Sequence, residues 1–297
     1  MKALISGIKR MEIHDGDGLR TTVFFKGCPL RCIWCHNPES IGFRRQIAFF
    51  DQKCISCGTC ASLCPSGAIE QTDGFPVIDR SRCSECFICA KNCPVGALEG
   101  FGEFWEMDDL LEYVLQDELF FKNSGGGVTL SGGECLAQPA FAIELARRLS
   151  EKGISVDIDT CGYAKREIIE EILPYADTFL YDIKAADPAV HKACTGVTNE
   201  LIISNLRFLA ERGAKIEIRY PLVKGYNDGQ CDRIGQLLRD IPGVKRVKVL
   251  RYHRFAQSRY GALGLSCTLP DTVTGDEDLA RAVATLVKYG LDAFTDQ

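Results

Sequence analysis

The chain has 297 residues, 46% of them hydrophobic, enough for one substantial core with a smaller unit beside it. A formal charge of −5 gives no general attraction to nucleic acid or to an anionic membrane, so neither is expected as a partner. No apolar run reaches spanning length and the opening MKALISGIKRMEIHDG lacks the apolar stretch of a signal peptide, so a cytoplasmic location is expected. Sixteen cysteines would suggest disulfides in a secreted chain, but here C-x2-C clusters without an export signal point to metal.

In chain order, the first β-rich run is TTVFF (21–25), which leads into GCPLRCIWCHNPES (27–40). Its cysteines, Cys28, Cys32 and Cys35, number one fewer than the four ligands of a closed zinc site or an ordinary iron–sulfur site. Three thiolates on a cubane leave its fourth iron open, and an open position suggests that a ligand or substrate binds there. The competing reading is that Cys54 or another distant cysteine completes an ordinary site.

Residues 46–101 form a different kind of segment, with CISCGTCASLCP (54–65) and CSECFICAKNCP (83–94) as an internal repeat. Each C-x2-C-x2-C wraps three corners of a cubane and the cysteine before proline ligates the other one. The expected wiring is Cys54, Cys57, Cys60 and Cys93 on one [4Fe–4S] cluster, and Cys83, Cys86, Cys89 and Cys64 on a second. Paired zinc knuckles are the alternative.

Beyond the repeat, β-rich runs alternate with amphipathic helical patterns. The runs are GVTLS (127–131), ISVDIDT (154–160), TFLYDIK (178–184), AKIEIRY (214–220) and KRVKVLRY (245–252). Helices are predicted over 139–153, 199–213, 232–243 and 277–290. This rhythm predicts an α/β fold, an incomplete (β/α)6 TIM-like barrel over 1–45 and 102–297, with residues 46–101 as a ferredoxin-like insert after the first strand. A flavodoxin-like open sheet is the rival. In either, the carboxyl ends of the strands form the active face, where GCPLRC, SGGE (131–134), DTCG (159–162), DIK (182–184), RYP (219–221) and RYH (251–253) converge.

These residues resemble the radical S-adenosylmethionine (SAM) superfamily, whose C-x3-C-x2-C loop binds a [4Fe–4S] cluster. DGDGLRTTVFFKGCPLRCIWCHNPES is similar to the amino-terminal pattern of glycyl-radical-enzyme activating enzymes, and SGGE, DTCG, DIK, the H…TG of His191, Thr195 and Gly196, and RYH follow in the same order. The insert resembles that of the subgroup activating enzymes other than the plain pyruvate formate-lyase type. The resemblance implies three [4Fe–4S] clusters, reductive cleavage of SAM at the open iron, and hydrogen abstraction by the 5′-deoxyadenosyl radical from a glycine of a large partner enzyme. It also implies a ferredoxin or flavodoxin donor feeding the insert; a monomer is expected. The rival functions are a radical SAM enzyme acting on a small molecule and a multi-cluster electron carrier.

Roles implied for single residues follow from the same resemblance. Trp34 and His36 flank Cys35 and would border the adenine. Gly132 and Gly133, followed by Glu134, would let backbone groups approach the methionine amino end. Asp182 and Lys184, either side of Ile183, share one face of their strand and would grip the SAM carboxylate and ribose, or form a structural ion pair. His253 matches a histidine near the ribose, and Asp159 with Thr160 a monovalent-cation site. Asp15 would contact the partner's glycine loop, in a turn where Asp17 replaces the family's usual proline. Cys135, Cys161, Cys194, Cys231 and Cys267 have no ligand spacing and are expected as small buried apolar residues.

Overall fold

A computed structural model describes residues 1–295. Its strands are β1 Lys2–Glu12, β2 Arg20–Phe25, β3 Gln46–Phe49, β4 Ile69–Thr72, β5 Phe75–Ile78, β6 Leu98–Phe101, β7 Glu103–Glu106, β8 Gly127–Gly132, β9 Ser155–Thr160, β10 Thr178–Asp182, β11 Ile216–Leu222, β12 Arg246–Arg251 and β13 Asp292–Phe294. The helices are α1 Thr59–Ser62, α2 Ile88–Lys91, α3 Met107–Leu115, α4 Glu118–Ser124, α5 Pro139–Glu151, α6 Arg166–Ile172, α7 Pro188–Thr195, α8 Glu200–Glu211, α9 Cys231–Arg239, α10 Gln257–Ala262 and α11 Asp276–Val287.

One nine-stranded sheet has the order β13-β12-β11-β10-β9-β8-β2-β1-β7. From β2 through β13 every neighbouring pair is parallel, while β1 runs antiparallel to both β2 and β7. The six expected strands are β2 and β8 to β12, and the four expected helices are α5, α8, α9 and α11. Sequence periodicity did not reveal β1, in which only Ala3, Leu4 and Ile5 are buried, nor the short β7 and β13. Among the described residues no helix is long and apolar enough to cross a membrane.

The parallel strands alternate with a period of two, and both faces are buried. Val128, Leu130, Val156, Ile158, Phe179 and Ile218 join a single apolar core with side chains from α3, α5, α6, α8, α9 and α11. The opposite face carries Arg20, Thr129, Asp157, Arg219 and Lys248, all buried and polar. Buried polar groups persist only when partnered: Arg20 Nε donates to Thr129 Oγ1 at 2.7 Å and its Nη2 lies 3.3 Å from Asp157, while Arg219 and Lys248 both donate to the His14 carbonyl.

Residues 46–101 lie between β2 and β8 in the chain and build two small sheets, β3–β6 and β4–β5. The sequence repeat is also a backbone repeat. Ser56 and Glu85, before the second cysteine of each copy, both take positive φ (56° and 58°), as do Gly58 and Phe87 after it (75° and 63°). Equivalent short helices, α1 and α2, follow. A bulky residue at φ > 0 is uncommon; Phe87 is held there with its ring under the Arg45 guanidinium, 3.9 Å from the centroid.

Strands β1 and β2 are tied to α4 by Asp117, whose buried carboxylate accepts from Thr21 Oγ1 and Arg10 Nε, each at 2.7 Å. Burial alone would raise this carboxyl, but the two donors hold it below the usual carboxylate range. Its contribution to stability is therefore present above the unfolded carboxylate value and lost as pH falls through the lower folded one. Asp117→Ala strands the Thr21 hydroxyl and is expected to cost about 2–3 kcal/mol, read as a lower urea midpoint by circular dichroism with an unchanged slope.

Candidate active site

The loop after β2 carries the first three cysteines and is fixed by its own backbone. Gly27 N donates to the Ser40 carbonyl (2.7 Å) and Cys28 N to the Ile41 carbonyl (3.1 Å), closing the loop's two ends on each other. Arg31 N and Ile33 N donate to the carbonyls of Thr195 and Cys194 at the end of α7. His191 and Thr195 are buried there and bond each other and the Val197 carbonyl. The H…TG residues thus brace the cluster loop from behind rather than face the cavity.

Cys28, Cys32 and Cys35 line a cleft of about 260 Å³ together with Trp34, His36, Gly132, Gly133, Asp182 and Lys184. Burial pushes the three thiols up to about 12. Thiolates there need a bound cation to offset the desolvation, and a metal cluster is such a counter-charge. Among the described residues no three of the His, Cys, Asp and Glu side chains converge on the single point a mononuclear ion would take; a cubane requires no such point, since each thiolate binds a different iron.

Lys184 Nζ and Asp182 Oδ2 are 2.6 Å apart. Burial by itself would lower Lys184, yet the Asp182 and Cys32 side chains hold it above its ordinary value. The pair exists and faces the cleft, so the structural ion pair and the ligand-facing role coincide. Ile183 between them points the other way, into the apolar core. Burial, reinforced by the neighbouring His253, pulls His36 down to about 4. Neutral near pH 7, it uses Nε2 to bond the His253 carbonyl at 2.7 Å. His253 is not among the cleft-lining residues; its ring stacks on His36, centroids 4.0 Å apart.

Glu134 is buried and does not line the cleft. Its carboxylate accepts from Thr160 Oγ1 and from Cys161 N, both at 2.8 Å, tying the loop after β8 to the loop after β9. Thr160 is thereby occupied, whereas Asp159 lines the cleft beside Ser131, which donates to it at 2.5 Å. Burial, partly countered by Arg219, pushes Asp159 up to about 7. Asp15 lies on the polar inner face of the sheet: Thr22 Oγ1 donates to it at 3.0 Å and Arg219 Nη1 at 3.3 Å. Arg219 also stands 3.9 Å from Asp159, so Asp15 is one residue removed from the cleft. RYP contained Arg219, but nothing in its spacing announced this bridging place.

In the insert, Cys54, Cys57, Cys60 and Cys93 line one shared cavity, the set expected for one cluster, the crossover cysteine included. Cys64, Cys83 and Cys89 pack in the insert's small apolar core. The repeat extends to the sulfurs: Ala68 N donates to Cys64 Sγ at 3.2 Å and Ala97 N to Cys93 Sγ at 3.1 Å. Of the five unassigned cysteines, four are buried as expected; Cys267 is exposed, on the open segment after α10, and corrects that expectation. Cys161 lines the cleft.

The pattern of the Radical SAM superfamily matches residues 80–238, the 4Fe-4S dicluster domain residues 53–97, and the 4Fe-4S single cluster domain residues 14–59. The chain is 42% identical over 299 residues to the choline trimethylamine-lyase activating enzyme of Oleidesulfovibrio alaskensis, covering 97% of this chain and 96% of that one. It is 42% identical over 264 residues to the trans-4-hydroxy-L-proline dehydratase activating enzyme of Clostridioides difficile, with 88% and 87% covered. The chain belongs to the glycyl-radical-enzyme activating enzymes of the radical SAM superfamily. The fold alone is shared with Streptococcus suis SuiB bound to its precursor peptide SuiA (TM-score 0.52, 18% identity, covering 66% of this chain and 43% of that one). Iron–sulfur clusters and SAM are therefore this activating enzyme's cofactors.

The glycines of SGGE are needed on steric grounds. Gly132 has φ of 115°, and a Cβ there would meet the Phe25 carbonyl oxygen at 2.2 Å; at Gly133 it would meet the Ser40 oxygen at 2.4 Å. The loop can therefore press its backbone against the cluster loop only without side chains. Gly133→Ala is expected to lower iron retention and weaken SAM binding at least roughly tenfold, measured by iron assay and equilibrium dialysis. Wild-type values in both would refute the close-approach argument.

Proposed function

We propose that the chain cleaves SAM reductively and uses the 5′-deoxyadenosyl radical to place a glycyl radical on a large partner enzyme. The observation that carries this reading is three cysteines, Cys28 buried and Cys32 and Cys35 half-buried, lining a cleft edged by a lysine–aspartate pair and a bare glycine backbone, on a chain aligned nearly end to end with activating enzymes. A [4Fe–4S] cluster with an open iron would supply the electron and chelate the SAM amino and carboxylate groups.

The residues supply position and exclusion of water. Cys28, Cys32 and Cys35 would hold the cluster. Gly132 and Gly133 leave their backbone accessible to the methionine amino end, and the Lys184 ammonium, held charged by Asp182, suits the carboxylate. Trp34 and the neutral His36, backed by His253, offer flat surfaces for the adenine. Asp159 beside Ser131 is the acidic group for a monovalent cation, without Thr160. Two further [4Fe–4S] clusters would sit in the insert, giving three in all, fed by a ferredoxin or flavodoxin.

We read the sheet as an incomplete barrel with residues 46–101 as a ferredoxin-like insert. What supports the barrel over a doubly wound sheet is the buried polar inner face: helices on both faces would demand apolar residues on both. A lateral opening would admit a glycine-bearing loop of the partner, and Asp15 would receive it, exchanging its bond from Arg219 for backbone N–H groups of that loop.

Two outcomes test this reading. Anaerobically reconstituted protein should carry about twelve irons per chain, and Cys32→Ala should lose SAM cleavage while keeping about eight; zinc in place of iron would refute it. Asp15→Ala should keep cleavage of SAM to 5′-deoxyadenosine but cut the glycyl-radical signal of the partner encoded beside this gene at least roughly tenfold by electron paramagnetic resonance. An unchanged radical yield would remove Asp15 from the partner site.

A further inference from the structure

α10 (Gln257–Ala262) touches both the insert and the cluster loop. On the insert side, Ala262 and Leu263 form a dry cluster with Ala48, edged by Phe50 and Phe101. Arg80, three residues before Cys83, donates from Nη1 to the Ile47 carbonyl at 2.6 Å and from Nη2 to the Ala262 carbonyl at 3.0 Å. Its guanidinium rests on Gly264, where a Cβ would come within 2.5 Å of Nε.

On the other side, the Tyr260 hydroxyl donates to the Cys35 carbonyl at 3.0 Å, Arg259 Nη1 to Glu39 Oε1 at 2.7 Å, and Thr268 Oγ1 to the Ile33 carbonyl at 3.1 Å. Tyr260 and Ala262 are two residues apart, about 3 Å along the helix axis. One helical turn therefore links a residue beside Cys83 to the backbone of Cys35. Among the eleven cluster cysteines Cys57 alone is exposed; Cys28 and Cys89 are buried and the rest are half-buried.

We propose that α10 is the joint through which the insert passes single electrons to the cluster loop, with Arg80 and Tyr260 as positioning residues. The proposal rests on the activating-enzyme reading above and adds an order. One electron enters from a low-potential one-electron carrier at the Cys54–Cys57–Cys60–Cys93 group. It moves to the Cys83–Cys86–Cys89–Cys64 group and then across α10 to the Cys28–Cys32–Cys35 group. There it breaks the carbon–sulfur bond of SAM, giving methionine and the 5′-deoxyadenosyl radical. Each group returns to its starting oxidation state and no proton travels along the path. Hydrogen bonds and nearby charge set cluster potentials, so the Arg80 cation also favours reduction of the inner group.

The test uses holoprotein mixed with reduced ferredoxin and freeze-quenched for electron paramagnetic resonance, the cluster-loop signal being identified by its change on adding SAM. In Arg80→Gln the insert signals should appear at the wild-type rate and the cluster-loop signal at least roughly tenfold later. The midpoint potential of the inner group should fall while that of the outer group stays. Tyr260→Phe, one hydroxyl smaller, should delay the cluster-loop signal without moving either insert potential, and it decides the matter if Arg80→Gln loads iron poorly. A wild-type rate for the cluster-loop signal in both variants, or an equal delay of all signals, would overturn the joint. Failure of wild-type protein to form 5′-deoxyadenosine would instead sink the function reading itself.

Discussion

The site depends on three loops being bonded to one another at the carboxyl end of the sheet. Gly133 N donates to the Phe25 carbonyl and Glu134 N to the Gly27 carbonyl, both at 2.9 Å, so the loop after β8 is bonded along the start of the cluster loop. The Glu134 carboxylate then binds the loop after β9 through Thr160 and Cys161. A buried carboxylate without those donors would be costly, so Glu134 fixes both loops or neither. The cysteines, the glycine backbone and Asp159 take their places from this belt.

Much of this was legible in the sequence because it is carried by period and spacing. Six parallel strands and four helices follow apolar repeats of two and of 3.6. The doubled spacing puts Cys54, Cys57, Cys60 and Cys93 in one set, and those four line one shared cavity, the crossover residue included. What stayed hidden lacks a local pattern. Strand β1 is mostly exposed and pairs on both sides through backbone groups. Arg219, joining Asp15 to Asp159, is one arginine among many until the alternation of β11 turns it inward. His253 was legible as a motif residue, but its partner His36 has the direct place in the cleft.

The polar face of the sheet carries one enclosed charge cluster around Arg219. Asp15, Asp159, Arg219 and Glu217 form one charge cluster, with Arg219 almost fully enclosed yet leaving Nε without a hydrogen-bond partner. Burial opposes the charge on Arg219, and the carboxylates, Asp159 first, outweigh it. Such a cluster holds its members only as a set. Without the Asp15 carboxylate, Arg219 would keep Asp159 and Glu217, each at 3.9 Å, and Glu217 is shared with Arg246 at 2.7 Å.

Burial also separates the tasks of the thiols. In the cluster loop the free thiols are pushed up to about 12, so metal and thiolate charge must enter together. In the insert the thiols divide: donors at Thr59 hold Cys57 below its ordinary value and, against slight burial, the Ser66 hydroxyl with backbone donors does so at Cys64, while burial raises Cys60 and pushes Cys89 up to about 11. Thiols that can be charged only against iron, deep in a water-poor cleft, suit the place where a radical must survive until it meets carbon–hydrogen rather than solvent.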